Sequence, residues 1–353
     1  LGAGLTSLTL AKALVNQNIY VDIISPKKKN LPDKLRTLGI SKSNIEFFNS
    51  QIVSIDKISW KLKKIEIYTE NFGKEKLINF ENNKSQLFSI ISNYKLYEIL
   101  EKNLSKSKYL KKINYLKNLN ILKNYNLVIN TEFNNIITKK YFSRKILKEY
   151  NSIAYTTIIH HEKIDNDVAA QIFTKRGPLA FLPISENKTS VVYSLHKSNY
   201  EKNLNINSLI DKYNYKYKIK KISNAKSFDI KSISLRSYYH NNILAFGDLL
   251  HKIHPLAGQG FNMTIRDIKV ITDLVREKVS LGLSLDSSVN SEFEKILKHN
   301  NFIFSNGVDL IHEFFNIERK TKNNFLSKSI KVLGKNSLVN KMFTKFADKG
   351  IYF

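Results

Sequence analysis

Cysteine is absent from the 353 residues, and so is any long uncharged apolar run. Without cysteine the chain has no disulfide, no thiolate metal ligand and no cysteine nucleophile. Without about 18 consecutive apolar residues, the sequence predicts no membrane-spanning helix. Hydrophobic residues still make up 42% and aromatic residues 11% of the chain, which is enough to build packed cores. The length favours two domains over one simple core.

Acidic residues are scarce: 30 Asp and Glu oppose 57 Lys and Arg, which gives a net charge of +27. One explanation is AT-rich coding, in which Lys, Asn, Ile and Tyr accumulate together; the other is an anionic partner. No nucleic-acid recognition motif is found, so nucleic acid is not expected as a partner. Segment 319–349 combines Lys with apolar residues at helical spacing, including Phe343 and Phe346. It suits a basic amphipathic helix pair, which would lie on a membrane or pack on the protein's own core.

A glycine-rich turn stands at the beginning of the chain, in Gly2-Ala3-Gly4-Leu5-Thr6-Ser7. A helical pattern follows over 8–15, and then a strand-like run over 19–24. This is the order of a dinucleotide-binding turn, in which glycines let the backbone approach a pyrophosphate at a helix N-terminus. Ser7 stands where a third small residue is usual.

Two features of this first motif depart from the usual pattern. The acidic residue expected about 20 residues later is replaced by Ser25, and Asp22 lies within the strand. A Gly-x-Gly turn normally follows a strand, whereas Leu1 directly precedes Gly2. The first strand is therefore expected to be missing, and a version extended upstream by about ten residues is expected to bind its nucleotide more tightly.

A second motif, GDLLHKIHPLAGQGFNMTIRD, runs from Gly247 to Asp267 behind the apolar run 243–246. Asp248 would project from the tip of a strand, and Pro255 would fix the loop backbone. Glycines at 258 and 260 would allow close approach of a ligand at the start of a helix near 259–262. This composition, in a loop between a strand and a helix, indicates a binding site for a ligand.

The two motifs together resemble the FAD-dependent aromatic hydroxylases of the para-hydroxybenzoate hydroxylase type, and within them the ubiquinone-biosynthesis hydroxylases. Four further stretches resemble the same family: 33–37 with its Arg36, 92–100, 168–195 and 293–301. The resemblance covers nearly the whole chain, and the Gly247–Asp267 block is its most specific part.

The resemblance implies an FAD site made of both motifs and the Arg loop, namely Gly2, Gly4, Ser7, Ser25, Arg36, Asp248, Pro255, Gly258, Gln259, Gly260 and Asn262. It implies that NAD(P)H reduces FAD and that one oxygen atom of O₂ is transferred to the ring of a polyprenylated phenol or quinol. The cofactor supplies the chemistry, so no catalytic side chain is named. His251 and His254 are expected to order the loop, and no metal site is expected because a third ligand is lacking.

One segment differs from the family where Gly-Ala-Asp-Gly is usual: Asn130-Thr131-Glu132-Phe133. Glu132 keeps a carboxylate, but Phe133 replaces a glycine. The alternative reading is therefore a non-catalytic, flavoprotein-like subunit of a quinone-biosynthesis assembly. In either case the sequence predicts a cytoplasmic protein with peripheral contact at the inner face of the membrane.

The predicted fold class is α/β, with a Rossmann-like FAD-binding domain interleaved with a β-sheet substrate domain, followed by C-terminal helices. The FAD-binding domain is expected to comprise 1–44, 85–140 and 241–276. The substrate domain is expected to comprise 45–84 and 141–240, and the helical region 277–353.

Overall fold

The computed structural model describes the chain except residues 26–30, 71–75, 82–85, 115–117, 198–204, 255–257, 322–340, 342–343, 347 and 351–353. Its helices are α1 (Leu5–Val15), α2 (Lys42–Phe47), α3 (Asn93–Leu104), α4 (Ile136–Tyr141), α5 (Ile206–Tyr213), α6 (Gln259–Ser280) and α7 (Ser287–Thr321). Its strands are β1 (Val21–Ile24), β2 (Thr37–Ser41), β3 (Ser59–Leu62), β4 (Lys64–Thr69), β5 (Lys76–Glu81), β6 (Phe88–Ser92), β7 (Leu110–Ile113), β8 (Val128–Asn130), β9 (Lys145–His161), β10 (Val168–Thr174), β11 (Gly177–Ser185), β12 (Lys188–His196), β13 (Ile219–Ile222), β14 (Lys226–Leu235), β15 (Tyr239–His240), β16 (Ile243–Ala245) and β17 (His251–Lys252).

The largest sheet has nine strands among the described residues, in the order β17-β14-β9-β12-β11-β10-β4-β5, with β13 also paired to β9. All neighbours are antiparallel except β10 and β4. Alternation of apolar and polar side chains produces this sheet, as in β11, where Leu179 and Phe181 are buried. The 168–195 stretch therefore forms β10, β11 and β12, as the pattern predicts.

Three smaller sheets complete the described strands: β1 with β7, β15-β16-β8, and β2-β6-β3. The first is parallel, and β16 is parallel to β8, as βαβ connections require. Leu1 and Gly2 lie between two of these sheets: the Leu1 amine donates to Ile129 O, and Gly2 N donates to Ile24 O at 2.9 Å. The glycine turn is thus fixed at the carboxyl ends of β1 and β8, where ligands bind in open α/β sheets.

One large hydrophobic core joins α1, α3, α6 and the first turns of α7 to the small sheets. In α3 the buried side chains recur at helical spacing, at Leu96, Leu100 and Leu104. Residues 45–58, which the sequence pattern assigned to the substrate domain, also pack here through Phe48 and Ile55. Separate, smaller cores lie on the nine-stranded sheet. In the part of the chain that the structure describes, no helix is long and apolar enough to cross a membrane.

At Phe346 the C-terminal segment packs on the protein, which is one of the two arrangements that the sequence leaves open for 319–349. Phe346 stacks on Phe304 of α7 with ring centroids 5.0 Å apart, and it packs with Met263 of α6. Nearby, Asp348 O accepts hydrogen bonds from Ser41 Oγ and Ser43 Oγ at 2.9 and 3.0 Å. Phe346 therefore faces the protein, because an apolar pocket between α6 and α7 is available to it. Phe343, its expected companion on a membrane face, lies outside the described residues.

Replacing Phe346 by Ser is expected to lower the free energy of unfolding by about 2–4 kcal/mol, because a ring is lost from a packed cluster. The measurement is a urea or thermal unfolding curve. Leu310→Ser is the matched control, since Leu310 is 70% exposed on α7 and its loss is expected to cost less than about 0.5 kcal/mol. Equal stabilities of wild type and the Phe346 variant would contradict the packing.

Candidate functional site

The two glycine motifs, about 245 residues apart in sequence, meet in the structure. Gly247 closes strand β16 with φ +66° and lies against the first turn of α1. A Cβ at this position would stand 2.6 Å from Thr6 Cγ2, so a larger residue would push the helix away. The next residue, Asp248, is exposed. The contact thus sets an exposed carboxylate beside the N-terminus of α1.

The glycine turn itself is packed against the segment that departs from the family pattern. Ser7 Oγ and Thr131 Oγ1 are 2.8 Å apart, and Thr131 Oγ1 also donates to Leu1 O at 3.0 Å. Glu132 Oε1 would lie 2.8 Å from a Cβ on Gly2, whose φ is +119°. Ser7 therefore joins α1 to β8 through a hydroxyl pair, and a carboxylate stands over the turn.

Two glycines of the motifs face open space. A Cβ on Gly4, the N-cap of α1, or on Gly260, in the first turn of α6, would meet no atom of the described residues within 4 Å. Protein packing does not explain why these two positions lack side chains. Each stands at a helix N-terminus, where free N–H groups and the helix dipole favour an anion or a polarised carbonyl.

Asn262 is a buried amide with four protein partners. Its Nδ2 donates to Gly39 O at 2.8 Å and to Gly258 O at 3.2 Å. Its Oδ1 accepts from Ser41 N at 2.9 Å and from Asn44 Nδ2 at 2.8 Å. These bonds use the full capacity of the amide. Asn262 therefore contributes to the site by joining β2 to the loop before α6, and it has no polar group left for a ligand.

The remaining residues of the expected nucleotide site differ in burial and in their hydrogen-bond partners. Ser25 ends β1 and is only 6% exposed, while Asp22 Oδ2 accepts from Tyr125 Oη at 2.6 Å. Gln259 begins α6, as predicted, and its side chain is buried. Pro255 lies outside the described residues. The structure thus places Gly2, Gly4, Ser7 and Asp248 around the first turn of α1, with Ser25 directly after β1. Gly258 lies against Gly39 of β2, and Gly260 lies in the first turn of α6.

The two histidines of the loop have different surroundings. His251 Nε2 pairs with Asp267 Oδ2, and Asp267 Oδ1 accepts from Asn301 Nδ2 at 3.3 Å. Burial alone would lower the pKa of His251, but the facing Asp267 carboxylate outweighs it and raises that pKa. The pair ties the loop to α6 and α7, which agrees with the expected ordering role.

His254 lies instead on the wall of a cavity of about 140 Å³ between the nine-stranded sheet and the loop before α6. Its ring meets the Tyr150 ring edge-on, with centroids 4.9 Å apart, and Tyr150 Oη bonds Asp309. Burial, reinforced by that carboxylate, raises the pKa of Tyr150 well above its usual value, so the phenol stays neutral. His254 is thus held in place by a neutral ring beside the cavity.

The rest of the cavity is mainly apolar. Its wall includes Phe88, Ile90, Ala170 and Leu182, with Arg36 at one end. The Arg36 guanidinium lies 5.0 Å from the centre of the Phe228 ring. Arg36 and His254 are the titratable residues among the described lining. A flat apolar molecule with one polar edge is the ligand that such a cavity fits.

Gly39 and Asn44 were not singled out from the sequence. A Cβ on Gly39 would overlap the Phe88 ring, and Gly39 N would stand 3.4 Å from a Cβ on Gly258. Gly39 follows Arg36 within a short apolar strand, and this local pattern could have signalled a close approach of backbones. No local pattern reveals that Asn44 bonds Asn262. Among the described residues, no group of three His, Asp or Glu stands where it could hold a metal ion.

Parts of the chain are similar to curated proteins of ubiquinone biosynthesis. The chain is 23% identical over 229 residues to the ubiquinone biosynthesis monooxygenase COQ6 of Xenopus tropicalis, a match that covers 53% of this chain and 49% of that protein. It is 30% identical over 162 residues to 3-demethoxyubiquinol 3-hydroxylase of Escherichia coli strain K12, which covers 44% of this chain and 41% of that protein. The matches thus span about half the length of these relatives or less. No protein-family model matches the chain.

Solved structures extend the likeness over the whole chain. The p-nitrophenol 4-monooxygenase PnpA of Pseudomonas putida DLL-E4 superposes with a TM-score of 0.78 at 10% identity, covering 100% of this chain and 98% of that one. HpxO of Klebsiella pneumoniae, solved with FAD and uric acid, gives a TM-score of 0.73 at 11% identity, covering 99% and 96%. The α/β fold class is confirmed, and the chain is related to the monooxygenases that its motifs resemble.

The buried His251–Asp267 pair predicts a pH dependence of stability. A raised histidine pKa means that the folded state binds the proton more tightly than the unfolded chain. The stabilisation is therefore complete below about pH 6.5, the unfolded value, and is lost as pH rises through the folded pKa. Urea unfolding at several values between about pH 6 and pH 9 is expected to show this loss in wild type.

His251→Gln and Asp267→Asn are the matched variants, since each removes one charge and keeps a similar shape. Both are expected to be less stable than wild type at the acidic end, with the difference shrinking as pH rises. A difference that grows with pH would show that the pair is not charged in the folded protein.

Proposed function

We propose that the chain is an FAD-dependent monooxygenase that hydroxylates the aromatic ring of a polyprenylated phenol or quinol in ubiquinone biosynthesis. The observation that carries the proposal is the pair of glycines, Gly4 and Gly260, which leave the N-termini of two helices open, the second of them next to an apolar cavity that Gly258 lines. The related proteins that act in ubiquinone biosynthesis support the substrate class. The E. coli relative is named for hydroxylation of demethoxyubiquinol, an aromatic ring of this kind.

The residues present fit FAD. The N-terminus of α1, bare at Gly4, would hold the pyrophosphate, because free N–H groups there meet a doubly charged anion. The exposed Asp248 would bind hydroxyls of the ribityl chain, as its family match does. The N-terminus of α6, bare at Gly260, would face the polar edge of the flavin ring. Ser25 offers one buried hydroxyl where a carboxylate is usual, which lowers the expected affinity.

When bound and reduced by NAD(P)H, FAD supplies the oxygen-transferring chemistry, which uses O₂ and an electron-rich ring. The protein's part is to bind the ring, orient it and exclude water. Apolar side chains such as Phe88 and Leu182 would surround the ring. The polar side chains of the wall are Arg36, Thr37, Thr156, Gln171, Ser194 and His254. Because Arg36 only donates, a ring hydroxyl would donate to another polar group of the wall, such as His254 or Gln171. A polyprenyl tail would have to leave the cavity, whose volume of about 140 Å³ suits the ring alone.

Alanine at either open glycine is expected to weaken FAD binding without unfolding the protein. A methyl group on Gly4 or Gly260 would touch no atom in the part of the chain that the structure describes, but it would enter the space that the cofactor would fill. Flavin fluorescence titration is expected to show dissociation constants raised about tenfold or more, which is at least about 1.4 kcal/mol. Asp248→Ala is expected to lower flavin content as well.

Gly247→Ala is the contrasting variant, because its methyl group would strike Thr6 and the residue has a positive φ. It is expected to lower the melting temperature, whereas the Gly4 and Gly260 variants are expected to melt as wild type does without cofactor. Wild type that takes up no FAD would overturn the proposed cofactor. If the alanine variants at Gly4 and Gly260 both bind FAD as tightly as wild type, the proposed position of FAD at the two helix N-termini is wrong.

Activity is tested with the purified protein, FAD, NAD(P)H and a phenol with a short prenyl chain under ¹⁸O₂. One labelled oxygen atom is expected in the ring of the product. Uptake of FAD with no labelled product, across phenols and quinols, would instead favour a non-catalytic flavoprotein subunit.

A peripheral membrane contact and a place in a quinone-biosynthesis assembly complete the proposal, because the substrate's tail resides in the bilayer. The support is the charge of +27 and the Lys-rich stretch of 319–349. Phe346 itself faces the protein, so the expected attachment is mainly electrostatic.

Cosedimentation with vesicles containing anionic lipid is therefore expected at low salt and is expected to weaken as salt rises. Neutral vesicles are the control and are expected to retain little protein. If the protein does not bind anionic vesicles at low salt, the proposed membrane contact is wrong. The net charge of +27 would then reflect amino-acid composition alone.

A further inference from the structure

The N-terminus of α2 is capped by a residue from the far end of the chain. Ser41 stands at the N-cap position, where a serine hydroxyl usually accepts a hydrogen bond from the first turn. In the described helix it makes no such bond and donates instead to Asp348 O at 2.9 Å. The Asp348 carboxylate takes over the capping role, because its Oδ1 accepts from Ser43 N at 2.9 Å. A side chain 305 residues later in the sequence thus supplies the cap.

The corner at which β2 ends and α2 begins is therefore held from two sides. On one side, Asn262 Oδ1 of α6 accepts from Ser41 N at 2.9 Å. On the other side, Asp348 O accepts from the hydroxyls of Ser41 and Ser43. Ser41 itself is completely buried, so water cannot replace either partner. The position of the corner thus depends on α6 and on the C-terminal segment together.

The residues on both sides of Asp348 are fixed as well. Phe346 stacks on Phe304 of α7, and its carbonyl oxygen accepts from Gly350 N at 2.9 Å. Gly350 is buried with φ +75°, and a Cβ there would stand 3.1 Å from Arg266 Cζ of α6. Packing on α6 and α7 therefore holds Asp348 in place against α2.

The corner also lies close to the apolar cavity. Gly39 of β2 stands two residues before Ser41 and lines the cavity with Gly258. Gly39 N would be only 3.4 Å from a Cβ on Gly258, so a shift of β2 would disturb the loop that enters α6. The N-terminus of α6 is where the polar edge of the flavin ring is proposed to lie. Asp348 is not among the described residues of the cavity wall, yet the strand that it holds is.

We infer that Asp348 is a positioning residue for the proposed flavin site. Its bond to Ser43 N fixes the corner between β2 and α2, and through that corner the backbone approach of Gly39 to Gly258. The inference rests on the proposed function for the identity of the ligand. The cap can change the affinity for FAD only by what it contributes to the corner, which is about fivefold, or about 1 kcal/mol.

Flavin fluorescence titration of the full chain tests this role. Asp348→Ala is expected to raise the dissociation constant of FAD about fivefold, because the corner loses its cap. Asp348→Asn is expected to stay within about twofold of wild type, since an asparagine oxygen accepts the same hydrogen bond.

Asp286→Ala is the matched control, because Asp286 caps a helix in the same way away from the corner. Its Oδ1 accepts from Ser288 N of α7 at 2.9 Å. This variant is expected to lower the melting temperature about as much as Asp348→Ala does, and to bind FAD as wild type does. The comparison separates positioning of the site from a general loss of stability.

Hydrogen exchange in the absence of FAD follows the corner without any cofactor. In Asp348→Ala the amides of 39–44 and 258–262 are expected to exchange faster than in wild type, because the backbone bonds of the corner open more often. In Asp286→Ala their exchange is expected to be unchanged. If wild type takes up no FAD, the proposed function is wrong, and the exchange rates still decide whether Asp348 holds the corner.

Three results would overturn the inference. The first is an Asp348→Ala variant that binds FAD as tightly as wild type. The second is an Asp286→Ala variant that weakens FAD binding as much as Asp348→Ala does, since lost stability would then explain both. The third is unchanged hydrogen exchange of 39–44 and 258–262 in Asp348→Ala.

Discussion

The side chain of Asn262 is the interaction on which the candidate site depends. Its amide joins the backbone of β2 to the loop that enters α6, and each of its four hydrogen bonds ends on the protein. Gly39 and Gly258 can lie backbone to backbone only because this amide holds them there. That approach in turn fixes where the cavity ends and where the N-terminus of α6 begins. A buried amide with complete partners is costly to lose, since any replacement leaves several polar groups unsatisfied.

Glycines in the two motifs serve two different purposes, and the structure separates them. At Gly247 the missing side chain makes room for α1, so that position belongs to the packing of the fold. At Gly4 and Gly260 the missing side chain makes room for no other group among the described residues. A motif read as a string of glycines cannot show this difference. The distinction also explains how a site can be prepared for a ligand without being unstable in its absence.

Much of the fold could be predicted because its signals are local. The start of α6 at Gln259 follows from a glycine and a run of helical spacing, and the strands β10 to β12 follow from alternation. The partners of side chains could not be predicted in the same way. Asn262 meets Asn44, which is 218 residues earlier, and Phe346 meets Phe304 instead of a membrane. His251 and His254 stand three residues apart in the same loop, yet one pairs with a buried carboxylate and the other lines a cavity. Such roles are set by tertiary packing, which a single sequence does not reveal.

The contact between Gly247 and Thr6 has a consequence for the order of events during synthesis. The turn at Gly2–Gly4 is synthesised some 240 residues before the strand end and the helix that complete it. Until β16 and α6 have been made, the N-terminal helix has no strand end to pack on. Between them the chain produces the long antiparallel sheet, whose non-local pairings are slow to form. Residues 2–6 are thus synthesised well before their final neighbours, and the apolar side of α1 stays exposed to solvent until β16 and α6 have been made.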